Sequence, residues 1–171
     1  WDANHDVGQK GFTHADKIKL VEKINKICKV FISSESELPK KLKSYQLKTH
    51  PSKLHSILAE AALYIGEGST TASESSLLGT PSVYVNSLKV GNCEELENKY
   101  KLCYQLTELD DVIDKAKEIL NSKDGKVKYK NRLEKLLSEK IDPTRFMVWF
   151  VENWPESKQV MMNNPEYQNK F

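Results

Sequence analysis

No apolar run in the 171-residue chain approaches the 18 residues that a membrane-spanning helix requires, and no basic-then-apolar leader opens it. A soluble, cytoplasmic protein is the expectation. Cysteine is scarce: Cys28, Cys93 and Cys103 are odd in number and scattered, with no Cys-x-x-Cys pair or Cys/His spacing. Reduced thiols are therefore expected rather than a zinc site or a disulfide framework. An excess of charge of either sign is also missing, because 26 basic residues face 24 acidic ones and the net charge is +2. Charge thus gives no argument for nucleic acid or a membrane surface as partner. Familiar phosphate and nucleophile signatures are absent as well. The chain has no Gly-Lys-Ser/Thr of a Walker loop, no Gly-x-Gly-x-x-Gly fingerprint and no Gly-x-Ser-x-Gly elbow.

What is present is an alternation of short apolar runs with helical patterns. A chain of this length supports one domain or one domain with an appendage, and buries roughly 70% of its unfolded surface. Apolar β-prone runs predict strands over 30–32, 63–65, 82–85 and 102–106, with a weak one over 46–49. Between them, Thr13 and Asp16 have capping-box character ahead of Ile18, Val21, Ile24 and Cys28 at helical spacing. Pro51 opens a helix carrying Leu54, Ile57, Leu58 and Ala61 on one face. Residues 70–78 form a short helix, stopped by Gly79 and Pro81. A further helix follows Thr107 and Asp110. After 123 come a Lys-rich helix, whose charges read as a solvated face, and a helix started by Asp142-Pro143.

Strands that read as continuous apolar runs belong to a parallel sheet buried on both faces. The expected fold is therefore α/β, a doubly wound and mostly parallel sheet over 1–122, with C-terminal helices over 123–171. Phe146, Trp149, Phe150 and Trp154 in that extension read as a packing surface, which leaves a homodimer open. The chain begins at Trp1 with nothing ahead of Asn4 that forms a strand, so it reads as a fragment cut at or inside a first strand.

Open parallel sheets bind ligands beyond the carboxyl ends of their strands, so the loops there are the candidates. They hold Asn4, His5, Asp6, Gly8 and Gly11, then Ser33, Ser34 and Glu35, then 66–71, then Asn86 and Ser87. The third is the most informative. Gly66 and Gly68 permit close backbone approach and positive φ, and Ser69, Thr70 and Thr71 supply hydroxyls and N–H groups at a helix start. The same turn also reads as a plain strand-to-helix connection with Ser69 or Thr70 as cap. His5 reads equally as a phosphate ligand or general acid/base and as a structural histidine. His50 and His55 lean to the structural side, and Glu74 is divided between ligand and solvated helix face.

The run Gly68-Ser69-Thr70-Thr71-Ala72-Ser73-Glu74, followed by Gly79-Thr80-Pro81, resembles the donor-binding half of GT-B glycosyltransferases. Its pattern is similar to that of the lipid-linked N-acetylglucosaminyltransferase of peptidoglycan synthesis. UDP-N-acetylglucosamine 2-epimerases use a related turn and glutamate, and the tail from Asp142 resembles an epimerase-like family of archaea and bacteria. The resemblance implies a Rossmann-like half of a GT-B fold that binds a nucleotide sugar, a UDP-sugar, as substrate. It implies no other cofactor and no metal. Glu74 would bind ribose hydroxyls, and Gly68, Ser69 and Thr70 the diphosphate. Asn4 and His5 would approach phosphates or sugar, with His5 the catalytic candidate, while His50 and Pro51 would lie near the base. An N-terminal domain of the same parent chain would be the partner, and the fragment would be inactive alone. One departure matters: the epimerases carry a His-Arg-Arg-type sequence in the first loop, and the only arginines here are Arg132 and Arg145. The alternative is a non-catalytic α/β assembly or regulatory module.

Overall fold

The structure, a computed structural model, describes residues 11–34 and 36–171. Its centre is a parallel sheet of three strands, β1 (Tyr64–Gly66), β2 (Ser82–Val85) and β3 (Cys103–Leu106), in the order β1-β2-β3. Tyr64 stands opposite Ser82, and Ser82 opposite Cys103. The α/β class is as expected. The strands predicted over 30–32 and 46–49 are reduced to one parallel bridge between Ile32 and Gln46. Ile32 N–H donates to the Tyr45 carbonyl and its carbonyl accepts from Leu47 N–H, and no longer ladder joins the two runs among the described residues.

Helices lie on both faces of the sheet. On one, Val83 and Val85 pack against Leu20 and Ile24 of α1 (His14–Ile24) and against Val112, Ile113 and Ala116 of α5 (Leu109–Leu120). The expected capping box opens α1: Asp16 N–H donates to the Thr13 hydroxyl, and the Asp16 carboxylate accepts from Thr13 N–H. The other face receives α3 (Ser69–Leu77), where the usual pattern is inverted. Ala72, Ser73, Ser75 and Ser76 are buried while Leu77 and Leu78 are exposed. Small side chains let the helix approach closely, and their hydroxyls are satisfied. Ser76 Oγ lies 2.8 Å from Ser82 Oγ and reaches the carbonyls of Ala72 and Leu102.

The helix α2 (Leu54–Glu60) precedes β1, and α4 (Gly91–Glu95) runs into a π-helical turn over Leu96–Tyr100 before β3. Helix α6 (Gly125–Glu139) begins against β3, where the Arg132 guanidinium donates to the Lys101 carbonyl (2.8 Å) and the Tyr104 hydroxyl (3.1 Å).

By contact density the chain forms two compact units, Trp1–Leu133 and Glu134–Phe171, divided inside α6. The second unit contains α7 (Pro143–Glu152) and α8 (Glu156–Asn163). Asp142 caps α7 by accepting from Thr144 and Arg145 N–H. One side of α7 closes on the chain end: Trp149 stacks on Tyr167 at 4.9 Å, and Phe146 meets Phe171 edge-on at 5.7 Å. The other side leaves Met147, Val148 and Val151 exposed.

Candidate functional site

The carboxyl end of β1 opens into the turn Gly66-Glu67-Gly68, and its two glycines have different reasons to be there. A Cβ on Gly66 would fall 2.1 Å from the Tyr64 hydroxyl, so packing excludes a side chain. At Gly68 the nearest atom to such a Cβ is Thr71 Oγ1 at 3.9 Å, and φ is -90°. The expected positive φ therefore occurs at neither residue; among the described glycines it occurs at Gly79 (84°). Among the described residues, neither a close contact nor a positive φ requires glycine at 68.

Gly68 is the N-cap of α3 and supplies no side-chain acceptor, and the first turn carries no carboxylate. The first amides of any helix lack intrahelical partners, and here neither a capping side chain at Gly68 nor an acidic residue in the first turn compensates the positive end of the dipole. The entries of α1 and α7 are capped, and α5 has Asp110 and Asp111 in its first turn.

Beside this turn lies a crevice of about 880 Å³. It is lined by residues of α1, 28–34, α2, β1 and 67–71. Gly68, Ser69, Thr70 and Thr71 thus all line the crevice. Tyr64 stands in the wall below, where burial pushes its phenol up to about 12 against a hydrogen bond with Thr71.

The residue that the sequence did not disclose is Glu67. Its carboxylate accepts from Phe12 N–H at 2.8 Å and pairs with Lys17 Nζ at 3.1 Å, where Lys17 is only 3% exposed. A Cβ on Gly11 would stand 2.3 Å from Glu67 Oε1, so glycine makes room for this carboxylate. From the other side, Asn86 Nδ2 donates to the Glu67 carbonyl at 3.3 Å. Glu67 therefore fastens the entry of α1 and the loop after β2 to the β1–α3 turn. Lysine and glutamate 50 positions apart, one in a helix and one in a turn, give no periodic signal of such a pair.

The remaining predicted residues take other places. Glu74 lies one turn into α3, outside the crevice lining, with its carboxylate 3.2 Å from His55 Nε2 of α2, both largely exposed. His50 caps the 3₁₀ turn Pro51–Lys53, accepting from Ser52 N–H, and Pro51 is its first residue. Neither His50 nor Pro51 lines the crevice. Asn4, His5 and Glu35 lie outside the described residues. Among the described residues no cluster of histidine, cysteine, aspartate or glutamate could hold a metal.

Two cysteines meet in the interior. A hydrogen bond from the Cys103 thiol lowers Cys93 and pushes Cys103 up; both are fully buried, and Cys93 Sγ lies 3.7 Å from Ser73 Oγ. They pack α4 to β3 and do not reach the crevice.

No curated protein and no solved structure matches the chain. Residues 9–154 match the family described as protein of unknown function (DUF354), and the chain belongs to that family.

Proposed function

We propose that this chain is the nucleotide-sugar-binding half of a two-domain GT-B-like enzyme, a glycosyltransferase or a sugar-nucleotide epimerase. A UDP-sugar would lie along the rim of the crevice, with its diphosphate on the amides of Ser69, Thr70 and Thr71. Gly68 is the observation that carries the reading. A glycine that neither packing nor backbone conformation requires among the described residues, at a helix start without a side-chain cap beside a crevice, suits close approach of an anionic ligand. The sheet would extend through residues 30–33 and 46–48 into a doubly wound layer, which places such a crevice beyond its strand ends.

The chemistry lies with other residues. The crevice lining offers hydroxyls, amides and two carboxylates, Glu60 and Glu67, the second already engaged by Lys17. Such groups bind and orient a donor; they do not form an acid–base pair. The reacting groups would come from the first loop, where His5 is the candidate, and from an N-terminal domain of the same parent chain, so the fragment alone would be inactive.

Titration calorimetry with UDP tests the assignment of Glu74. Replacing Glu74 by alanine should weaken binding by about 1–3 kcal/mol, the worth of a charge-assisted hydrogen bond to the ribose. Equal UDP affinity in wild type and Glu74→Ala would remove Glu74 from the site. The exposed apolar side of α7 favours a second reading, a non-catalytic assembly module. That reading expects a concentration-dependent dimer in sedimentation and no affinity for UDP.

A further inference from the structure

Helix α7 has two sides, and only one of them is used within its own unit. Phe146 and Trp149 close on Phe171 and Tyr167, whereas Met147, Val148 and Val151, with Trp154 just beyond the helix, are half or more exposed. Positions 147, 151 and 154 follow one another at spacings of four and three, so they form one stripe along the helix and its exit. A contiguous apolar stripe of this kind marks an interaction surface, which singly scattered apolar residues do not.

The charges beside the stripe indicate what covers it. Arg145 and Glu152 are both exposed and lie seven residues apart with Val148 between them, so they share one flank of the stripe. No ion pair engages either side chain among the described residues. Each also stands at the unfavourable end of its own helix. A cation in the first turn and a carboxylate at the last residue both oppose the macrodipole, and α7 has no acidic residue in its first turn and no basic one in its last. Neither charge helps the helix that carries it.

We propose that the stripe on α7 is covered by the same stripe of a second copy of this chain, the two helices running antiparallel about a two-fold axis at Val148. A two-fold contact must be self-complementary, and this one is. Val148 meets Val148, Met147 meets Val151, and Arg145 of each protomer meets Glu152 of the other. The carboxylate of one protomer then lies at the positive end of its partner's helix and the guanidinium at the negative end. Each charge that opposes its own dipole thus complements the other's. A parallel pair would set Arg145 on Arg145 and Glu152 on Glu152, which repels. One helix per protomer makes a small contact, below about 1,200 Å² in total, so a dimer in the micromolar range is expected. The pairing rests on the exposed side of α7 that favours an assembly module, and it holds whether or not the first unit binds UDP.

Sedimentation equilibrium of the full chain should show this micromolar dimer. Arg145→Glu and Glu152→Arg should each weaken it by ~10-fold or more, because each reversal sets two like-charged pairs face to face. An equimolar mixture of the two variants should associate as tightly as wild type, since the mixed dimer restores both pairs. Either reversal places the charge that its end of the helix favours, so the thermal midpoint should not fall. Val151→Glu, at an exposed position, should abolish the dimer without unfolding the chain. A mixture that associates no more tightly than either variant alone would overturn the proposal. A wild-type dimer that Arg145→Glu leaves unchanged would also overturn it, while an assembly module that pairs in another way would still stand. Wild type that stays monomeric at ~1 mM would overturn both and assign the stripe to a different partner chain.

Discussion

The two turns that bracket α3 look alike in sequence, Gly66-Glu67-Gly68 before it and Gly79-Thr80-Pro81 after it, yet they stand on different physical ground. At the exit everything is explained by the chain itself. Gly79 holds φ 84°, Thr80 N–H reaches the Ser75 carbonyl and Gly79 N–H the Ser76 carbonyl, which together form a Schellman motif. The Thr80 hydroxyl then donates to the Leu58 carbonyl at 2.7 Å and ties the end of α2 in place. At the entry, Gly66 is explained by Tyr64 and Glu67 by Lys17, but nothing among the described residues explains Gly68. The comparison teaches that a glycine inside a resembling motif carries functional weight only after the fold's own demand for it has been subtracted. By that measure Gly79-Thr80-Pro81, which contributed to the resemblance, is structural. Gly68 is the residue left over.

The largest effect should come from the entry's hub. Glu67→Ala leaves the Lys17 ammonium buried without this carboxylate and frees the start of α1, so unfolding stability should fall by about 3–5 kcal/mol in urea titration. A loss below about 1 kcal/mol would mean that the pair is solvated and does not hold the two loops. Next comes the exit: Gly79→Val forces a β-branched residue into the left-handed region and should cost about 1–3 kcal/mol. UDP affinity should follow stability alone in this variant, with no specific loss. The smallest stability effect belongs to Gly68. Gly68→Asp supplies the missing cap at φ -90°, ψ 119° and should leave the protein unchanged or more stable by about 0.5 kcal/mol. If Gly68→Asp instead destabilises as Gly79→Val does, the contrast between the two turns collapses.

Much of this region was legible because its signals are local. The strand at Tyr64–Gly66, the helix at Ser69–Leu77, the stop at Gly79 and the strand at Ser82–Val85 each follow from a few adjacent residues. So do the Thr13/Asp16 box and the Asp142 cap. What escaped depends on residues distant in sequence or on reversed polarity. The Lys17–Glu67 pair joins a helix and a turn that lie 50 positions apart and share no local pattern. The buried serines of α3, with Leu77 and Leu78 outside, reverse the apolar pattern that marks a buried face, because hydrogen-bonded hydroxyls at close approach replace hydrophobic contact. Arg132, which sits in a Lys-rich run that reads as solvated, ties α6 to Lys101 and Tyr104. The expected strands near Ile32 and Gln46 needed a neighbour to pair with, and the ladder among the described residues gives them one bridge.

The most direct test is a calorimetric titration of wild type and Gly68→Asp with UDP. A carboxylate at 68 takes up the helix-start amides and repels a diphosphate, so affinity should fall at least ~10-fold while the folded state is retained or strengthened. Equal UDP affinity in the two proteins, or none in either, would contradict a nucleotide site at the start of α3.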